Sequence, residues 1–321
     1  MNSTERVRRV ITGQSADRTP IYGWCSGNFP EKVTEYFGSP AALEDRYEFD
    51  AAHIFGGPAT YNEDSLNEIR ASGVEFTPDL LLDLPLMDPN HMEDYEEIKK
   101  SMAFHKERDR FCYMQTPGFF ESHNGYLGIE NHLYCLAEYP DELKELYARQ
   151  LKWNKQFASN LIDLGVDMVH ISDDWGAQNS LMFSPRMWWD MVYPNMKEEV
   201  DFIHSRGCFA SLHSDGCVRQ VADGIADIGF DVVHPWQENA GMSYDLYLEK
   251  YQDKFAILGG LCVQSTIGFG NYERLESEIR RVFRTLKGKR WIMCTSHFIQ
   301  PHCTMEEIEF AYDLIYKLAR E

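Results

Sequence analysis

The stretches Val166–Gly176, VDMVHISDDWG, and Gly207–Gly216, GCFASLHSDG, share one plan. Each opens on a short apolar run of strand length and closes on carboxylates, histidine or both, just ahead of a glycine. A buried strand of a parallel sheet reads this way, with its turn chemistry following at the carboxyl end. Between the two lies a helix. Ser184 is an N-cap, Pro185 fits the first helical position, and the pattern runs to about Arg206 before Gly207 stops it. Strand, polar loop, helix and strand again make a βα unit.

Working outward, the same alternation marks eight candidate strands: Thr19–Trp24, Ala51–Phe55, Arg110–Gln115, Val166–Ile171, Cys208–His213, Asp231–His234, Phe255–Leu258 and Trp291–Thr295. Leu143 to about Leu164, ended by Gly165, is a further helix. Thr304–Glu307 reads as a capping box ahead of Ile308, Ala311, Leu314, Ile315 and Leu318. Asp64–Phe104 is too long for a simple helix and reads as an excursion between the second and third strands. Eight alternations in 321 residues predict one α/β domain over 1–321, a (β/α)8 TIM barrel. The alternative, an open doubly wound sheet, lacks a GxGxxG fingerprint.

Composition narrows the partners. The net charge of −20 repels phosphate backbones, which excludes nucleic acid. No run reaches the roughly 18 consecutive apolar residues of a membrane span. Met1–Gln14 carries Glu5, Arg6, Arg8 and Arg9 and no apolar stretch of signal-peptide length, so a cytoplasmic protein is expected. The eight cysteines form no CxxC pair, which excludes a zinc finger and suits reduced thiols.

In such a barrel, chemistry sits at the carboxyl ends of the strands. There the sequence places Asp173, Asp174, Trp175 and Gly176; His213 and Asp215; Gln237 and Glu238; Gly259, Gly260 and Cys262; and Cys294, Ser296 and His297. His213, Asp215, Glu238 and His297 are the candidate metal ligands, since imidazole with carboxylate suits zinc, manganese or iron. The competing reading makes them separate polar rim residues that bind water and substrate. Asp173 and Asp174 alternate across an extended segment. One can face the mouth as a general base or orienting group while the other caps a turn. Gln178 and Gln237 are candidate polar contacts to substrate. Gly260 permits close approach of a ligand, or simply a tight turn. Trp24, Trp175, Trp236, Phe119 and Phe120 lie near the rim, lining an apolar pocket or packing loops. His170 reads as structural, and Cys217, Cys262, Cys294 and Cys303 as small apolar fillers.

The segments HISDDWGAQNSLMFSPRMWWDMVYP (170–194), GCFASLHSDGCV (207–218), DVVHPWQENAGM (231–242), AILGGLCVQ (256–264) and CTSHFIQPHCTMEEIEFAYDLI (294–315), with DRTPIYGW (17–24) at the start, resemble the uroporphyrinogen decarboxylase superfamily. The resemblance implies a (β/α)8 barrel and two branches of function. True decarboxylases carry an arginine-rich MRQAGR-type motif after the first strand, where arginines meet substrate carboxylates. Here that stretch reads GWCSGNFPEK, without arginine. The corrinoid-linked methyltransferases bind zinc through His-x-Cys after the fifth strand and a cysteine after the eighth. His213 matches the first ligand, Asp215 stands at the second, and His297 aligns with the third. Glu238 is similar in placement to a glutamate ligand of cobalamin-independent methionine synthases.

The resemblance therefore implies a metal-dependent methyltransferase. A divalent ion, zinc in the relatives, activates a thiol or other nucleophilic acceptor, and the donor is a corrinoid on a partner protein or a small methylated compound. Asp173 or Asp174 would position the acceptor and Gln237 would hydrogen-bond it. A lyase acting on a smaller carboxylic acid is the alternative. A barrel that binds a corrinoid or partner without turnover is a third reading.

Overall fold

A computed structural model describes Met1–Glu321. Seven parallel strands form one curled sheet in chain order: β1 (Ala51–Ile54), β2 (Phe111–Pro117), β3 (Met168–Ser172), β4 (Phe209–His213), β5 (Val232–His234), β6 (Ala256–Leu261) and β7 (Trp291–Thr295). Parallel neighbours need crossovers. The helices Pro140–Asp163, Tyr193–Ser205, Ala222–Ile228, Tyr244–Lys250 and Tyr272–Leu286 supply them in turn, and Met305–Arg320 follows the last strand.

The expected first strand, Thr19–Trp24, is not a regular strand. It makes a single bridge, between Ile21 and Met293 of β7. Pro20 has no N–H to donate. The N–H of Ile21 is taken by the side chain of Asp50 at 2.7 Å, which Arg6 and Arg18 hold in place. The segment still joins the two edges of the sheet. Tyr22 N–H donates to Met293 O at 2.8 Å, Met293 N–H to Pro20 O at 2.9 Å, and Asp50 N–H to Ile21 O at 2.8 Å. Between β1 and β2, the helices Glu63–Ser72 and Pro78–Asp83 precede Glu96–Lys106. Only the last of these packs on β1 and β2, while Pro78–Asp83 lies against Pro140–Asp163.

Caps stand where the sequence puts them, with one difference. Ser184 accepts from Met187 N–H, and its helix runs through a π-helical turn, Trp188–Val192, before Tyr193–Ser205. Thr304 accepts from Glu307 N–H. The Glu307 carboxylate does not reach back to close the capping box, because it is buried against the backbone N–H groups of Gly268, Phe269 and Gly270.

Register decides what faces inward. Ser172 of β3 pairs with His213 of β4, and His213 with His234 of β5. One pleat earlier, Gln115 of β2 pairs with His170, and His170 with Ser211. Residues two apart on a strand share a face, so Ser211 and His213 point the same way. The alternate residues Val169, Ile171 and Leu212 are fully buried. Burying a side chain of this kind contributes roughly 1.5–3 kcal/mol. Gly259 of β6 has a structural cause: a Cβ there would stand 2.4 Å from the carbonyl oxygen of Pro235. No helix is long and apolar enough to cross a membrane.

Candidate functional site

His213, the last residue of β4, and two loop residues, Asp215 and His297, bring one ligand atom each to within 4.8 Å of one another. The rings of His213 and His297 are 5.9 Å apart between centroids. His213 Nδ1 lies 2.8 Å from His234 Nδ1, and His234 Nε2 lies 3.1 Å from the carbonyl oxygen of Thr295. A carbonyl only accepts, so His234 carries its proton on Nε2 and offers a lone pair on Nδ1. His213 then donates from Nδ1, which leaves a lone pair on Nε2. That nitrogen has no hydrogen-bond partner; Asp174 Oδ1 stands 3.8 Å from it.

Burial sets the charges. It holds the His213 imidazole down at about 4, with His297 adding to the effect and Asp174 opposing it. It pushes the Asp215 carboxyl up to about 7, reinforced by Asp174 and Glu121. Glu121 also rises to about 7, from burial and then from the charge of Asp174. Near neutrality the cup therefore holds a neutral imidazole beside carboxyls whose charge is costly without a cation. This donor set, an imidazole lone pair and a crowded carboxylate without hydrogen-bond donors, fits a divalent metal ion.

Other expected residues fall elsewhere. Glu238 does not join the cup: its carboxylate pairs with Arg281, which Tyr272–Leu286 brings in, and accepts from Tyr244 N–H at 3.4 Å. With Gly260, Cys262 and Ser296 it lines a neighbouring cleft of about 300 Å³. Asp173 is fully buried and accepts from Phe119 N–H at 3.1 Å and Glu121 N–H at 2.6 Å, so it anchors the turn after β2. Asp174 accepts from Asp215 N–H at 2.6 Å and stays beside the cup. Gln237 accepts from Gly216 N–H at 2.9 Å and donates to Gln264 at 2.7 Å, tying down the loop that carries Asp215. Gln178 donates to Asn239 O at 2.6 Å, bridging two rim loops.

Trp175, Trp236, Phe119 and Phe120 are core, not rim, because each is at most 2% exposed. Trp24 packs among the histidines, its ring centroid 4.5 Å from that of His234 and 5.8 Å from that of His297. Phe298 stacks on Trp24 at 5.0 Å, and Phe55 lies 6.1 Å from Phe298. Cys217, Cys294 and Cys303 are buried, and Cys262 is half-buried. His170 faces inward from β3 with Nδ1 2.6 Å from Ser211 Oγ. Glu121 and His234 are the functional candidates that sequence reasoning passed over. Both stand at a strand end, Glu121 four residues past β2 in GFFESH and His234 as the last residue of β5.

The chain is similar to known proteins at two levels. Among solved structures, a methyltransferase from Methanosarcina mazei superposes with a TM-score of 0.72 at 14% identity, covering 98% of each chain. A B12-independent methionine synthase from Shewanella sp. W3-18-1 superposes with a TM-score of 0.46 at 13% identity, over 73% of this chain and 69% of the other. A sugar phosphate isomerase/epimerase from Parabacteroides distasonis gives 0.49 at 10% identity, over 93% and 96%. No curated protein sequence matches. The family profile described as uroporphyrinogen decarboxylase (URO-D) matches residues 124–318, which include every strand from β3 onward and the His213, Asp215 and His297 cup. With more than half its length matched and its motifs in that order, the chain belongs to the uroporphyrinogen decarboxylase family.

Proposed function

We propose that this protein is a metal-dependent methyltransferase, built as a (β/α)8 barrel in which Pro20–Tyr22 stands for the eighth strand. The observation that carries the reading is the cup itself: His213, Asp215 and His297 within 4.8 Å at the carboxyl ends of the strands. These three would hold a divalent ion, zinc by analogy or a harder ion such as Mn²⁺ because one donor is a carboxylate. Bound there, the ion would act as a Lewis acid that lowers the pKa of a thiol or other nucleophilic acceptor. The whole-length similarity of fold to the methanogen methyltransferase supports the transfer reading.

The chain's own residues supply the rest. Trp24, Phe298 and Phe55 form an apolar wall that keeps water from the acceptor. Asp174, next to the cup and only partly buried, orients the acceptor and takes up its proton. The methyl donor is a methylated corrinoid on a partner protein seated over the mouth, or a small methylated compound.

A decarboxylase of uroporphyrinogen is disfavoured by charge. The segment from Tyr22 to Lys32 has no arginine, and Glu121, Asp174 and Asp215 give the mouth carboxyl groups in place of any cation. A tetrapyrrole with many carboxylates meets repulsion there instead of a guanidinium clamp. The test is methyl transfer from methylcobalamin to a panel of thiols, before and after chelation. Chelation is expected to abolish transfer and Zn²⁺ or Mn²⁺ to restore it. Full activity in demonstrably metal-free protein sinks the mechanism.

A further inference from the structure

Behind the cup, a nitrogen from each of His170, His213 and His234 lies within 4.8 Å of the others, all three fully or nearly fully buried. We infer that these three imidazoles form a second, inner ion site for a borderline divalent cation, which shares His213 with the cup and so excludes it.

Two of the three tautomers are set for the purpose. His170 Nδ1 lies 2.6 Å from Ser211 Oγ, whose hydroxyl donates on to Val169 O. With the proton on His170 Nδ1, donated to Ser211 Oγ, the hydroxyl is free to turn to Val169 O at 3.5 Å and Nε2 keeps its lone pair. His170 Nε2 is buried without any hydrogen-bond partner. His234 donates from Nε2 to Thr295 O and turns the lone pair of Nδ1 inward. Metal-bound histidines have this arrangement, the far N–H held by a carbonyl or hydroxyl and the near nitrogen bare. Hydrogen bonds within the protein leave His170 Nε2 without a partner, as they leave both nitrogens of neighbouring His53, whereas an ion held by the triad would use the His170 lone pair.

Because its Nδ1 faces His234 and its Nε2 lies toward Asp174, His213 would complete the inner triad through Nδ1 and the cup through Nε2. A neutral imidazole has one lone pair to give. With the proton on Nδ1 it serves the cup, as described above. With the proton on Nε2, toward Asp174, it serves the inner triad. His213 Nδ1 and His234 Nδ1, now 2.8 Å apart, need to open to about 3.3 Å around an ion with bonds of about 2 Å, and the His170 nitrogen, within 4.8 Å of them, needs to close in. The donors also differ in kind. Three imidazoles with no carboxylate select Zn²⁺, Co²⁺ or Ni²⁺ and reject Mn²⁺, whereas the cup, with Asp215, accepts Mn²⁺.

The inference goes beyond the methyltransferase reading and is tested apart from it. Full-length chelated protein is titrated with Co²⁺, followed by visible absorption and by metal content per chain, with circular dichroism as the check on folding. Asp215→Asn/His297→Gln removes the cup and leaves the inner triad. It is expected to bind one Co²⁺ per chain, and adding His170→Gln is expected to weaken that binding by tenfold or more. His170→Gln alone keeps the cup and is expected to bind one ion. If the folded double variant binds no Co²⁺, the inner site is overturned, whatever the cup does. If His170→Gln alone loses all Co²⁺ while the double variant keeps it, the cup falls and the inner site stands. Two ions on one wild-type chain would overturn the exclusion.

Discussion

At the residue scale, the place of one proton on His213 decides which of its two nitrogens has a lone pair to offer. Its Nδ1 faces His234 at 2.8 Å and its Nε2 faces the cup, so this side chain cannot be replaced by another neutral donor of similar size. His213→Ala is expected to lose the ion from the cup and with it the activity, measured by metal content and by methyl transfer on the same preparation. Asp174 and Asp173 separate cleanly. Asp174→Asn should keep the ion and lower kcat by roughly 10²–10⁴, the range for a positioned proton acceptor. Asp173→Asn turns an amide toward two backbone donors and should cost about 1–3 kcal/mol in urea denaturation while metal content stays at wild-type level. An Asp173→Asn protein of unchanged stability would show that the anchor is unimportant.

Among the elements, the loops after β3 and β4 behave as one body. Cys217 N–H donates to Ala177 O at 2.8 Å, and Gln237 holds Gly216 from the next strand. Gly176 lets the two loops touch: a Cβ there would stand 2.5 Å from Asp215 O and 2.7 Å from Cys217 N, both backbone atoms that cannot rotate away. Gly176→Ala must therefore push Asp215 out of the cup. Metal affinity should drop by tenfold or more with the helical circular dichroism signal retained. Equal affinity in the variant would mean that the Asp215 loop is not part of the ion site.

Over the whole molecule, buried titratable groups shape stability against pH. His53, His105, His123, His132, His170, His213, His234 and His297 are all held below their ordinary value, chiefly by burial. The unfolded chain binds their protons below about 6.5 and the folded chain does not, so their contribution to stability rises with pH up to that point. Asp173 at about 6, Glu121 and Asp215 at about 7 and Glu199 at about 8, all raised chiefly by burial, act in the other sense. The folded chain keeps their protons after the unfolded chain has lost them near 4, so their contribution falls as pH rises. Below 6.5 the lowered histidines dominate by number; above it the raised carboxyls, and His204, which its bond to Asp231 raises, contribute a stability that falls as pH rises. The Tm of chelated protein should peak near pH 6.5, and a steady fall from pH 5 to 6.5 would contradict the balance. The same acidity bears on substrate. Uroporphyrinogen should not be decarboxylated at an ordinary enzymatic rate of about 1 per second or more. Such turnover would overturn the charge argument.

The sequence by itself determined the parallel α/β architecture, because apolar runs such as Val166–Ile171 and Trp291–Thr295 carry their own period and end at polar loops. It also placed His213, Asp215 and His297 at strand ends, since in such a sheet position along the strand implies position at the mouth. What lay beyond it depended on partners distant in the chain. Glu238 left the cup because Arg281, 43 residues away, pairs with it. Asp173 turned from chemistry to support because the amides of Phe119 and Glu121 reach it from the end of β2. Thr19–Trp24 failed as a full strand because Asp50, 29 residues on, takes the N–H of Ile21. The inner histidines needed the register, which sets His213 beside His234 and His170 beside Ser211. Local pattern fixes where along a strand a residue stands. Which neighbour reaches its polar atoms first is decided only when the strands and helices close around it.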